Sequence, residues 1–431
     1  MAWKRIIAGL VLSMLLLATA ACGGQKKVET QEEPVIKNDP VTVKLAANKG
    51  FLSDEELSQF AAAVTKKYPH ITIQRTDTAV AGSKVPELVA SGNIPDLILE
   101  APLNILEFQS LGLYYNMEEL IKKHKFDLAR IQPEYLESIK VGSFSEQLVG
   151  LPVYNNGFGL FYNKDLFDRF GVSYPKDGMT WEEIRSLAMK LTRNENGVPY
   201  VGLHPNSVFW GAYQLGLPFI DTVNDKSVFQ SQGWKDLFQF WFRLQQLSDD
   251  GAAPKTIAAI KGFQDGQVAM TMGYSALLPA MVKINGLNWD VVTYPVNPAA
   301  PGIGQRVDSY NLVMTAQSKN KDAAFQIIEV LLSDEVQTTI SRNGKVSVLK
   351  DRKIQDQFGQ NNADYQNKNV VALTKPKLAI VKPFKFSFPQ NPAAMIDQAF
   401  NEVLYSGKDI NTALREAEEK MNAAIQVILK K

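Results

Sequence analysis

Three histidines, His70, His124 and His204, and one cysteine, Cys22, are the chain's imidazole and thiol side chains. The histidines form no HExxH pair and the cysteine has no second cysteine, so a zinc site finds no ligand set. No GxxxxGK stretch is present to cradle a nucleotide, and Gly157-Phe158-Gly159 lacks the third glycine of a dinucleotide turn. Gly273-Tyr274-Ser275 begins like a nucleophile elbow, but Leu277 stands where the second glycine belongs. A bend between strand and helix is its plainer reading. The carboxylate pairs Glu182-Glu183 and Glu418-Glu419 are adjacent. Neighbours on a helix do not face one another, so these read as solvated faces and not as an acid and base. Nothing here promotes catalysis, and neither metal nor cofactor is expected.

The N-terminus carries chemistry of another kind. Lys4 and Arg5 precede an apolar run, Ile6 to Leu17, which gives way to Ala18-Thr19-Ala20-Ala21-Cys22. A basic start, a short apolar core and small residues at a junction describe an export signal, residues 1–21. The junction resembles a bacterial lipobox, with Thr19 where Leu is usual. That resemblance implies cleavage before Cys22 and acylation of its thiol, which places the chain on the extracytoplasmic face of a membrane. Two or more acyl chains anchor stably where one does not. The alternative is an ordinary secretory signal with an incidental cysteine. Residues 22–40 are rich in Gln, Lys, Glu and Pro and poor in apolar residues, so they read as a flexible tether.

Beyond the tether the composition is that of an ordinary globular chain, 45% hydrophobic and 21% charged. The formal net charge is only +1, with both signs spread throughout, which argues against a nucleic-acid partner. The length predicts two domains or more.

The elements alternate in type. Val41, Val43 and Leu45 alternate with polar residues and predict a strand. Ser53 and Glu56 form a capping box ahead of Leu57, Phe60, Ala61 and Val64, which share one helix face. Ile71 to Ile73 and Leu97 to Leu99 predict further strands. Thr180 and Glu183 cap a second helix with Ile184, Leu187, Ala188 and Leu191 inward. Strands are expected at 159–162, 268–272, 290–294 and 310–315, and a helical tail over 396–428 interrupted at Gly407. Such alternation predicts α/β layers with a mainly parallel sheet. Trp181, Trp289, Trp234 and Trp241 are assigned to packing.

Four segments in order resemble the family 1 extracellular solute-binding proteins, the maltose-binding-protein-like group. They are Asn93-Ile94-Pro95-Asp96-Leu97; the stretch from Gly150-Leu151-Pro152 through Phe161-Tyr162-Asn163-Lys164-Asp165-Leu166-Phe167 to Thr180-Trp181-Glu182-Glu183; Phe263-Gln264-Asp265-Gly266-Gln267-Val268-Ala269-Met270; and Ser318-Lys319-Asn320-Lys321-Asp322-Ala323-Ala324. The resemblance implies an α/β, two-lobed, periplasmic-binding-protein-like (type II) fold. Lobe one would be residues 41–152 plus 297–332, and lobe two 153–296 plus 333–431, with Pro152 and Pro295 near the hinges. It also implies the ligand-capturing component of an ABC importer for a carbohydrate, partnered by a membrane permease and acting as a monomer. A lipoprotein enzyme acting on extracellular polysaccharide, and a ligand-binding sensor, are the alternatives.

A sugar presents hydroxyls and an apolar C–H face, so its site needs an aromatic platform beside polar side chains. In such folds the cleft lies at the carboxyl ends of strands. That points to Asn48 and Lys49 after the first strand and Glu100 after the Pro-Asp strand. It also points to Tyr154, Asn155 and Asn156 at the first crossing, and to Trp210, Tyr274 and Asp308 beyond it. Each has a plain structural reading as well: turn residues for Asn48 and Lys49, a helix cap for Glu100, hinge geometry for Asn155 and Asn156, core or rim packing for the aromatics. The resemblance departs from maltodextrin-type members at Glu100, where those carry an aromatic, and this leaves other oligosaccharides and polar solutes open.

Overall fold

The structure is a computed structural model that describes residues 39–101, 105–248, 251–252, 257–381 and 392–430. The expected export signal, Cys22 and nearly all of the tether lie outside the described residues. Among those described, no helix is long and apolar enough to cross a membrane.

The first lobe is organised by a six-stranded mixed sheet. Val41–Ala46 lies between Ile71–Thr76 and Leu97–Glu100, parallel to both. Ser309–Met314 then inserts antiparallel between Leu97–Glu100 and Gly150–Asn155, and Val346–Ser347 closes the far edge. The alternation in the first strand buries Val43 and Leu45, while Leu97, Ile98 and Leu99 are all buried. Covering it is the helix Asp54–Lys67, with Phe60 and Val64 buried and the Ser53–Glu56 capping box formed as expected.

In the second lobe Phe158–Asn163 is the centre of a three-stranded sheet, flanked by Met270–Tyr274 and Trp289–Thr293. Both flanking strands run antiparallel to it. The expected mainly parallel sheet therefore holds only for part of the first lobe. Apolar alternation reveals a strand but not the direction of the strand that pairs with it. Trp181, Trp234, Trp241 and Trp289 are all buried in this lobe's core, as expected. The tail forms Pro392–Ser406 and Ile410–Leu429, broken where Gly407 adopts φ 66° and Asp409 caps the next helix.

The chain divides between the lobes differently from the expected 41–152 plus 297–332 and 153–296 plus 333–431. Val336, Ile340, Val348, Leu349 and Ile354 pack into the first lobe's core, and Val346–Ser347 belongs to its sheet. The strand Ile303–Arg306 instead pairs with Lys377–Ala379, and Phe358, Val370 and Leu373 pack into the second core. Among the described residues the chain passes between the lobes at Asn155–Gly157, at Val307–Asp308 and after Ile354. Pro152 is not a hinge; it lies inside the strand Gly150–Asn155 opposite Asn311. Pro295 lies within the second lobe, where its carbonyl accepts from Gln214 Nε2 at 2.9 Å.

Candidate ligand-binding cleft

The first two crossings are tied into one buried polar knot. Asn155 Oδ1 accepts from Asp308 N at 2.9 Å, and Asn156 Nδ2 donates to Asp308 Oδ2 at 2.8 Å. The other Asp308 oxygen meets the Arg306 guanidinium at 2.8 Å, and that guanidinium lies 5.2 Å from the Tyr213 ring centroid. Gly157 and Ser275 exchange two bonds, Gly157 N to Ser275 Oγ at 3.1 Å and Ser275 N to Gly157 O at 2.8 Å. A Cβ on Gly157 would stand 2.6 Å from Leu373 O, so the close approach of backbones requires glycine there.

Above this knot opens a cavity of about 850 Å³ with walls from both lobes. That volume is in the range of small-molecule sites, about 300–1,000 Å³. The first lobe supplies Phe51, Glu56, Gln59, Tyr154, Tyr310 and Lys345; the second supplies Ser275, Leu278, Pro279 and Tyr365. Asn156 lies where they meet. The lining therefore combines aromatic faces, amides, hydroxyls and a half-buried ion pair. A separate void of about 20 Å³ inside the first core, among Leu45, Phe60 and Leu99, is wholly apolar and holds at most a water-sized body.

The first-lobe wall is layered. Tyr310 stacks on Tyr154 with ring centroids 4.8 Å apart and planes 20° apart, and Phe51 tilts against Tyr310 at 4.6 Å. Lys345 Nζ sits 4.1 Å from the Tyr154 centroid, 2.8 Å from Phe51 O and 2.5 Å from Glu56 Oε1. Rings stacked this closely leave no room for an ammonium between them, so Tyr154 has Tyr310 on one face and Lys345 on the other. Its hydroxyl donates to Phe51 O. Burial pushes the Tyr154 phenol well above its ordinary value, and burial pulls the Lys345 ammonium below the ordinary lysine value, opposed by Glu56. The Tyr310 phenol is raised by burial first, then by the charges of Asp308 and Glu100.

The nine expected ligand residues separate into groups. Tyr154 and Asn156 line the cavity. Asn155 and Asp308 are buried in the knot beneath it. Asn48 shapes the turn that presents Phe51: its side chain accepts from Gly50 N at 2.7 Å and its carbonyl from Phe51 N and Leu52 N at 3.0 Å. Lys49 is exposed and pairs with Asp54 at 3.0 Å, away from the cavity lining. Glu100 Oε1 accepts from the adjacent Ala101 N at 2.9 Å, a bond within its own loop and not a helix cap. Trp210 and Tyr274 pack on Phe158 at 5.3 and 3.8 Å and do not line the cavity. Trp210 is in the helix Val208–Leu215.

Sequence reasoning missed Phe51, Glu56, Gln59, Tyr310 and Lys345. Phe51 was within reach, three residues past Asn48 in the same loop. Tyr310 follows Asp308 by two. Lys345 was hidden because its segment was assigned to the wrong lobe.

Residues 59–366 match the bacterial extracellular solute-binding proteins. The chain belongs to that family. It is 24% identical over 341 residues to the multiple sugar-binding protein of Streptococcus mutans, covering 74% of this chain and 76% of that one. Its fold is similar to that of the sugar-binding protein MalE from Xanthomonas citri, with TM-score 0.71 and 20% identity over 90% of this chain and 98% of that chain. It is also similar to an ABC substrate-binding protein of Listeria monocytogenes solved with cycloalternan, with TM-score 0.68 and 18% identity over 90% of this chain and all of that one. These solute-binding proteins share the two-lobed architecture described above.

Proposed function

We propose that the chain is the substrate-binding component of an ABC importer that captures a carbohydrate, an oligosaccharide by preference, between its lobes. It is held by acylated Cys22 at the extracytoplasmic face of the membrane, acts as a monomer, and delivers ligand unchanged to a permease. The observation that carries the reading is the 850 Å³ cavity lined from both lobes by Tyr310, Phe51, Gln59, Asn156 and Ser275. Aromatic rings suit the C–H faces of a sugar, and amides and hydroxyls suit its hydroxyl groups. The relatives that carry sugars in their names support the same ligand class.

The test is a thermal-shift panel of mono- to tetrasaccharides on the mature chain, with product analysis of every binder. Binding without product supports a receptor; conversion of the glycan sinks it in favour of an enzyme. Anchoring is checked separately: Cys22→Ala is expected to abolish incorporation of labelled fatty acid, and equal labelling of both proteins refutes the lipid anchor.

A further inference from the structure

We infer that the cleft accepts uncharged glycans and turns away anionic ones, uronates and sugar phosphates, and that Glu56 is the residue that sets this preference. The inference rests on the carbohydrate reading above and specifies its substrate class.

The N-terminus of the helix Asp54–Lys67 opens onto the cavity, with Ser53, Glu55 and Glu56 in its lining. Helix N-termini attract anions through their unpaired N–H groups and dipole. Here the chain's own carboxylates, Asp54, Glu55 and Glu56, fill that first turn. Glu56 Oε2 accepts from Ser53 N at 2.8 Å, and Ser53 Oγ accepts from Glu56 N at 3.2 Å. With Glu56 tied into the cap and Asp54 paired with Lys49 and Arg75, a ligand carboxylate or phosphate finds the helix end already occupied.

The buried and half-buried cations of the site, Lys345 and Arg306, are committed as well. Lys345 lines the cavity with its side chain 23% exposed, and Glu56 Oε1, 2.5 Å away, balances its charge. Arg306 beneath the floor is matched by Asp308. Lys283 on the second-lobe rim is exposed, where solvent screens it. An anionic sugar buried here therefore loses water and finds Lys345 and Arg306 already balanced, and an unpaired buried charge is costly. An uncharged sugar has no such loss.

Glu56→Gln tests the assignment cleanly. Glutamine retains the capping role at the third helical position, and it leaves the Lys345 charge unbalanced beside the cavity. Calorimetric titrations of wild type and variant would use maltotriose, mannotriose and cellotriose against trigalacturonate and glucose 6-phosphate. At least one neutral sugar is expected to bind wild type, with every anionic one weaker by at least about tenfold, and Glu56→Gln is expected to narrow that ratio. An anionic sugar binding wild type as tightly as the best neutral one overturns the inference and leaves the carbohydrate reading standing. So does an unchanged ratio in the variant. Silence from every sugar overturns the carbohydrate reading and this inference with it.

Discussion

Aromatic residues play two different roles in this protein, and burial distinguishes them. Trp181 is 1% exposed, and its Nε1 donates to Gln214 Oε1 at 2.9 Å. The Gln214 amide in turn holds Pro295 O and Ile303 O at 2.9 and 2.8 Å. Trp181→Ala should cost about 3–5 kcal/mol in a urea melt, because it opens a cavity and strands a buried acceptor. Tyr310 is half-buried and faces the cleft, with Phe51 and Tyr154 as its supports. Tyr310→Ala is expected to weaken sugar binding at least about tenfold with a smaller loss of stability than Trp181→Ala. Trp210, packed edgewise on Phe158 and Tyr274 outside the lining, should leave affinity near wild type when changed to Ala. Fluorescence titration of the three variants decides; a Trp210→Ala protein that loses the ligand while Tyr310→Ala keeps it would reverse the assignment. Tyr154 and Asn156 were legible from the sequence because a Gly-Leu-Pro strand ends beside them. That Tyr154 is sandwiched was not legible, since Lys345 is 191 positions away in the chain.

Helices and strands were legible where their signals are local. The Ser53–Glu56 and Thr180–Glu183 boxes form, and Gly407 splits the tail, because caps and a left-handed glycine act within a few residues. Strand direction and the third passage between lobes were not legible, because they depend on partners far away in sequence. One such long-range tie joins the helix Glu118–Lys123 to Lys321–Leu331. At its end His124 Nε2 lies 3.1 Å from Asp322 Oδ1, Nδ1 lies 3.5 Å from Glu329 Oε2, and Phe325 packs on the ring. Lys123 also reaches Asp322, and Tyr68 donates to Glu329. The bond to Glu329, reinforced by Asp322 and opposed by burial, raises the His124 imidazole above its ordinary value of 6.5. A raised value means the folded state binds the proton more tightly. The tie therefore contributes fully below pH 6.5 and fades as pH rises through the folded value. Asp322 and Glu329 are both lowered, so their share is lost only in stronger acid. His204 works the other way: burial lowers it to about 4, so its contribution is present above pH 6.5 and is lost on acidification toward 4. The difference between wild type and His124→Gln isolates the tie. Their urea midpoints should differ more at pH 5.5 than at pH 8.5, and a gap independent of pH would remove the ionic role of His124.

Among the described residues two lobes are joined by passages of chain at Asn155–Gly157, at Val307–Asp308 and after Ile354, and the first two are fused through Asn155, Asn156, Arg306 and Asp308. Such a joint concentrates motion at a few residues while each lobe stays internally packed, the arrangement of hinge closure. A ligand that contacts both walls of the cleft binds the closed arrangement better than the open one, and only that difference in affinity can shift the balance. Two measurements follow from one binding event. A ligand bound only to the native chain should raise its unfolding free energy by roughly 2.7 kcal/mol at a hundredfold excess over Kd. The same sample should show a smaller radius of gyration in X-ray scattering, because the lobes draw together. Gly157→Ala separates the two. A Cβ there meets Leu373 O at 2.6 Å and Leu373 Cβ at 2.9 Å, so the first passage must shift against the second lobe. Phe51, Tyr310 and Lys345 supply none of the nearest atoms that Cβ would meet, while Ser275, bonded to Gly157, is the lining residue nearest the change. Weaker binding with a smaller change in scattering would show that closure supplies part of the affinity. A tight ligand that leaves the scattering of wild type unchanged would mean that the cleft is preformed, and the clamp would be the wrong description of how this protein holds its solute.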